Sequence, residues 1–129
     1  MLELQKGNCF FCQRPLAGAS HVDHFIPWAR YASNALDNLV VAHEKCNLSK
    51  SDHLAAPEHV ERWLERMVLH SKLLDEVAES VRWERTATRT MSVAQNTYWR
   101  MPDETPLWLK GRSFEKANGE KIRSLFESV

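Results

Sequence analysis

The chain reads as α+β, with a small motif-dense front over residues 1–52 and a mainly α-helical extension over residues 53–129. Three observations predict this. Residues 1–52 hold two β-prone runs, "SHVDHFIP" and "NLVVAH". All three cysteines, Cys9, Cys12 and Cys46, fall in the same segment. From Pro57 onward the apolar residues recur mostly at three- and four-residue intervals, the period of a helix.

The elements follow in order. "NCFFCQRPLAG" predicts a tight turn between two short extended pieces, and "SHVDHFIP" a strand ended by Pro27. "NLVVAH" is the second strand, and "HEKCNLSKSD" has the composition of a short helix. "PEHVERWLERMVLHSKLLDEVAESVRW" predicts one long amphipathic helix, its stripe running from Val60 through Trp63 and Leu74 to Val81. Pro57 suits its first turn, and Glu58 and Glu61 suit the positive end of its dipole. "TATRTMSVAQNTYW" is compatible with a helix or with a strand and loop. "TPLWLKGRSFE" is extended with Gly111 at a turn, and "NGEKIRSLFESV" closes as a helix on Ile122, Leu125 and Phe126. The one boundary lies between Asp52 and Pro57.

At 129 residues the chain is one domain, or one small domain with an appendage. A hydrophobic fraction of 43% supports a core, and a chain this short benefits from a staple. No apolar run is long enough to span a membrane, and "MLELQKGN" lacks the apolar stretch of a signal peptide, so a soluble, cytoplasmic protein is expected. An odd number of cysteines cannot close into a disulfide framework. Seventeen basic against seventeen acidic residues argue against a non-specific polyanion binder. The charge is unevenly spread: residues 53–81 carry six acids and three bases, residues 82–123 five acids and nine bases.

Cys9 and Cys12 form a Cys-x-x-Cys pair, and His43 and Cys46 a second pair with the same gap. Three apart on a helix, an imidazole and a thiolate share a face and can converge on one ion. Together the four make a tetrahedral Cys₃His shell for structural zinc, with no open position. The alternative is a redox Cys-x-x-Cys with His43 on the surface; such pairs usually open a helix after a strand, and "CFFCQRPL" looks more like a zinc knuckle.

A clamp from residue 9 to residue 46 draws everything between into a compact loop. Asp23 and His24 lie on the first strand, Asn38 opens the second, and Asn47 follows the last zinc ligand, about 100° round the helix from Cys46. If Cys46 faces the zinc, Asn47 can face the strand bearing Asp23. A carboxylate and an amide oxygen there form a sparse hard-oxygen site suited to magnesium with waters and substrate phosphates.

The set "CFFC", "HVDHFIP", "DNLVVAHEKCN" and "CNLSKSD", residues 9–52, resembles the HNH endonuclease family. The resemblance implies the ββα-metal (His-Me finger) fold, two short strands and a helix around one divalent ion, here zinc-stapled. It implies His24 as general base, Asp23 and Asn47 as ligands of a catalytic magnesium or manganese ion, and Asn38 as the residue that fixes the loop carrying the histidine. Cys9, Cys12, His43 and Cys46 match the zinc shell of the zinc-bearing members. His43 stands where cysteine is commoner, and Asn47 where many members have histidine. Nucleic acid, DNA first, is the implied substrate, and neutral charge without a base-reading helix points to targeting by a partner or a fused domain.

Neighbouring residues carry less. His21 is expected to pack or to support the site from behind. Lys50, one turn beyond Asn47, is a phosphate contact or a solvated helix-end lysine. Arg82, Arg85 and Arg89 read as a charged face, with a nucleic-acid backbone track as the alternative. The competing function is a non-catalytic zinc-ribbon module that binds nucleic acid or protein; the combination of Asp23, His24, Asn38 and Asn47 argues against it.

Overall fold

The computed structural model describes residues 4–18 and 20–127. The front begins with a knuckle closed by an Asn8–Pro15 bridge, in which Cys9 N donates to Arg14 O and Gln13 N to Cys9 O, each at 2.9 Å. Strand β1 (Ser20–His24) pairs antiparallel with β2 (Leu39–His43), setting Asp23 opposite Val40 and His24 opposite Leu39. Helix α1 (Glu44–Lys50) leaves β2 directly, with His43 as its N-cap residue. This is the expected order of two strands and a helix. Asn38 differs slightly: it ends a 3₁₀ turn, Leu36–Asn38, and β2 starts at the next residue.

The long helix expected from Pro57 is two helices, α2 (Pro57–Leu69) and α3 (Ser71–Val81), broken at His70. Pro57 occupies the first turn of α2, where its missing N–H costs nothing. The two helices serve different neighbours: α2 packs on the C-terminal helix, α3 on the Leu36–Asn38 turn. A straight rod cannot reach both. The apolar stripe shows the break, because Met67 and Leu74 are buried while Val68, Leu69 and Val81 are exposed. The ambiguous stretch after Arg85 is helix α4 (Ala87–Trp99). Strands β3 (Pro106–Lys110) and β4 (Ser113–Lys116) form the expected hairpin, its turn using Gly111 at φ +50°. The closing helix α5 (Gly119–Glu127) buries Ile122 and Phe126; residues 128 and 129 of its sequence stretch lie outside the described residues. The chain is thus α+β, with a small β-rich front and a mainly helical remainder.

One apolar core runs from the knuckle to the closing helix. Phe25, directly after β1, stacks on Trp63 of α2 with ring centroids 4.9 Å apart and planes 9° from parallel. The Trp63 indole N–H donates to Asp37 O at 2.9 Å, and the Arg66 guanidinium to Asp37 O and Leu39 O at 2.9 and 2.7 Å. Asp37 is fully buried, and its carboxylate accepts Arg85 Nη2 at 2.6 Å, Arg85 Nε at 3.1 Å and Thr86 N at 2.7 Å. Arg85 also pairs with Asp75 at 2.6 Å. Arg85 therefore spends its charge inside the fold and is not free for a nucleic-acid backbone. Removing one partner of a buried pair strands the other, at about 3–5 kcal/mol. Arg85→Met should accordingly destabilise the protein by about 3 kcal/mol, read as a lower urea midpoint; an unchanged midpoint would show that water replaces the guanidinium.

Candidate active site and metal centre

Four ligand atoms from Cys9, Cys12, His43 and Cys46 lie within 4.8 Å of one another. Zinc–thiolate bonds of about 2.3 Å set sulfur atoms about 3.8 Å apart in a tetrahedron, so the cluster is already near the size of a closed zinc shell. The knuckle turn brings Cys9 and Cys12 together, and the β2–α1 junction supplies the other pair. Orientation of the imidazole is the telling detail. His43 Nε2–H donates to Pro15 O at 3.0 Å, which leaves the Nδ1 lone pair facing Cys12 Sγ at 3.3 Å and Cys46 Sγ at 4.0 Å. A backbone carbonyl fixing the far nitrogen is the usual support of a metal-bound histidine. The donor set fits structural zinc.

The thiols differ in acidity. Burial pushes the Cys9 thiol up, but the backbone N–H groups of Cys12, His43 and Phe11 outweigh it and bring the group down to about 7. Burial and the neighbouring Cys9 and Cys12 sulfurs push Cys46 up to about 12. Three sulfurs at this spacing cannot all ionise unless a cation joins them.

The other half of the site begins on β1. Asp23 is buried, and its Oδ2 has no hydrogen-bond partner. Lys50 Nζ approaches that oxygen to 3.6 Å, close enough to attract but too long for a hydrogen bond, and donates instead to His24 O at 3.3 Å. Burial raises the Asp23 carboxyl and lowers the Lys50 ammonium, each against the attraction of the other. A buried carboxylate oxygen left without a donor suits a cation. Lys50 is fully buried, so it is not the solvated helix-end lysine considered from the sequence. Its charge faces Asp23 and lies 5.9 Å from the centre of the Phe11 ring.

Asn47 sits on α1, with its Nδ2 at 3.4 Å from His21 Nδ1. His21 lies two residues before Asp23, on the same face of β1. With its amide nitrogen donating to His21, Asn47 keeps its oxygen available. Asp23 and Asn47 thus offer one carboxylate and one amide oxygen, donors that suit a hard divalent ion.

His24 is half-buried and is the last residue of β1; an ideal strand would turn its side chain away from the Asp23 face, but the strand ends here and the His24 charge still acts on the Asp23 carboxyl. Its Nε2–H donates to Asn34 Oδ1 at 2.7 Å. An amide oxygen only accepts, so neutral His24 carries its lone pair on Nδ1. Asn34 is held in turn by the Trp83 indole, which donates to Asn34 O at 2.6 Å. The loop between is fixed by fully buried Asn38, whose Oδ1 accepts from Ile26 N at 2.8 Å while its Nδ2 donates to Ile26 O and Ser33 O at 3.1 and 3.3 Å.

Asn34 and Trp83 are the residues that sequence reasoning missed. Asn34 lies in the loop "YASNALDN", whose composition signals only a turn, and Trp83 lies 49 residues further on, so no spacing rule joins them. Arg82 and Arg89 are exposed, which leaves the expected arginine row without its middle member.

Residues 9–56 match the sequence profile of a family described as HNH endonuclease. No curated protein matches the chain. Among the described residues no helix is long and apolar enough to cross a membrane.

Zinc should be lost in Cys46→Ala, and the front should unfold with it, since such sites contribute on the order of 10 kcal/mol. Cys46 holds its proton at neutral pH and must release it to bind, so apparent zinc affinity should rise about tenfold per pH unit on its account. Below about 7 Cys9 adds its own proton, and the plot should steepen there. Competition with a chromophoric chelator reads both effects; a flat plot would exclude thiolate ligation.

Proposed function

We propose that this HNH-type front hydrolyses phosphodiester bonds of nucleic acid, DNA most simply, with His24 as general base and Asp23 and Asn47 holding one divalent ion. The observation that carries the reading is the pairing of a buried, unpartnered Asp23 oxygen with an adjacent histidine whose Nε2 is tied back. A site meant only as scaffold has no use for either. Residues 1–52 are the nuclease core in this reading, and residues 53–129 brace it and offer a docking or DNA-contacting surface. Targeting comes from a partner or a fused domain, in a reducing, cytoplasmic setting.

His24 Nδ1 accepts a proton from the attacking water as its oxygen closes on phosphorus. Asn34 takes no proton; it holds the ring so that the lone pair stays on Nδ1 and stabilises the imidazolium that forms. Asn38 keeps the loop from drifting, because a base displaced by about 1 Å loses much of its rate advantage. Magnesium or manganese, when bound, stabilises charge on the phosphoryl and leaving oxygens. Asp23 and Asn47 serve by orienting that ion. A non-catalytic zinc module remains the second reading, favoured only by the neutral overall charge.

Plasmid cleavage assays test this. His24→Ala should lose about 10²–10⁴ in rate with fold and zinc intact. Retention of near-normal cleavage would move the base elsewhere, to His21 first. A chelator too weak to strip thiolate-bound zinc should abolish activity, and magnesium or manganese should restore it. Asp23→Ala should raise the metal concentration needed or abolish cleavage, and Asn47→Ala should do the same more weakly. Asn34→Asp should move the rising limb of the pH–rate profile upward, because a carboxylate at Nε2–H favours the imidazolium and the base must be neutral to act. An unmoved limb would exclude Asn34 as a positioning residue.

A further inference from the structure

Beyond His24 the chain turns sharply and puts two exposed groups along one edge. Trp28 is 52% exposed, with its ring centroid 5.3 Å from the His24 imidazole and a tilt of 57°. Arg30 follows in the same turn, its N–H donating to Pro27 O at 2.8 Å. Arg30 lines a cleft with Asn96 and Thr97 from the end of α4 and with Arg100, Met101 and Pro102 just beyond it.

The chemistry of that cleft is one-sided. It offers two guanidinium groups, an amide and a hydroxyl, and no carboxylate lines it. Among the described residues neither Arg30 nor Arg100 makes an ion pair. Arg62, Arg66 and Arg85, by contrast, are engaged by carbonyls and carboxylates. Two like charges facing one cleft are a cost until an anion lies between them, and a guanidinium fork matches a phosphate in particular. An indole open to solvent beside a candidate catalytic histidine offers its face to a planar group. Bases inside a duplex have both faces covered, so only an unpaired base can use it.

We propose that this edge is the path of a single polynucleotide strand, with an unpaired base stacked on Trp28 beside the scissile phosphate and a more distant phosphate held between Arg30 and Arg100. The proposal rests on the nuclease reading and deepens it, because it makes the preferred substrate single-stranded or locally unpaired. The loop is suited to the task. Asn38 and the Pro27 turn fix its backbone, so the main chain that presents Trp28 and Arg30 needs no further ordering.

Fluorescence anisotropy tests the path on the full-length, zinc-loaded protein, without added magnesium or manganese. The probes are labelled DNA and RNA strands of roughly 16 nucleotides, the upper end of a one-domain site, and the matching DNA duplex. Wild type should bind a single strand more tightly than the duplex, and the two strand arms tell DNA from RNA. Trp28→Ala should weaken strand binding roughly 5- to 100-fold with little change in salt dependence, and Trp28→Phe should recover much of the loss. Arg30→Ala and Arg100→Ala should each flatten the slope of log affinity against log salt by about 0.7. All three side chains replaced are exposed, and melting curves check that the variants stay folded. Duplex preference, no binding by wild type, or variants that bind like wild type would each overturn the path. Strand binding with these losses but no cleavage in magnesium or manganese would leave the path standing and sink the nuclease reading. Cleavage with unaltered binding by the variants would do the reverse.

Discussion

The three-residue turn Leu36–Asn38 is the constraint on which the rest of the structure depends. Asp37 and Asn38 are both fully buried polar residues, and burying them is costly unless every group finds a partner. The partners come from both sides of the turn in sequence, from Ile26 to Thr86. Asp37 draws in Arg85 and Thr86 through its carboxylate, and Trp63 and Arg66 through its carbonyl. Asn38 reaches back to Ile26 and Ser33. One turn therefore fastens the helical extension to the front and sets the loop that follows His24.

This explains why a front stapled by four metal ligands is followed by a long extension with no motif of its own. The Cys₃His cluster, which fits structural zinc, joins the knuckle to the β2–α1 junction, but it does not touch the far edge of the site, where His24 sits. The extension does so through Trp83, which holds Asn34, which holds His24. Trp63 and Phe25 stacked beneath the loop add a rigid floor. The proposed active site thus has two braces: the Cys₃His cluster on the side of α1, and an aromatic and ion-pair cluster on the side of α2, α3 and the start of α4.

Burial also separates the two kinds of charge in the molecule. Arg66, Arg85 and Lys50 are drawn inward, each facing an aspartate or backbone carbonyls. Of these, Lys50 with Asp23 is the imperfect pair, because a 3.6 Å approach satisfies the charge but not the hydrogen-bonding capacity of the oxygen. A pair that is electrostatically compensated yet geometrically incomplete keeps the site folded and still leaves a lone pair to offer.

What the sequence determined by itself is local. Ligand spacing in "CFFC" and "HEKC", the proline after "DHFI", and the strand–strand–helix order all depend on residues close in the chain, and all appear at the positions the spacing implies. The hairpin around Gly111 and the closing helix were legible for the same reason. The tertiary structure decided everything that joins distant segments. The helix period from residue 57 to 81 is nearly continuous, and only the need to pack against two different neighbours breaks it at His70. Arg85 looked like one of a row of surface charges until a buried aspartate 48 residues away claimed it. Asn34 and Trp83 carry no pattern at all, because a hydrogen bond across 49 residues leaves no periodicity behind. Local chemistry is written in spacing, whereas the orientation of the histidine ring is set by contacts that exist only once the chain has closed.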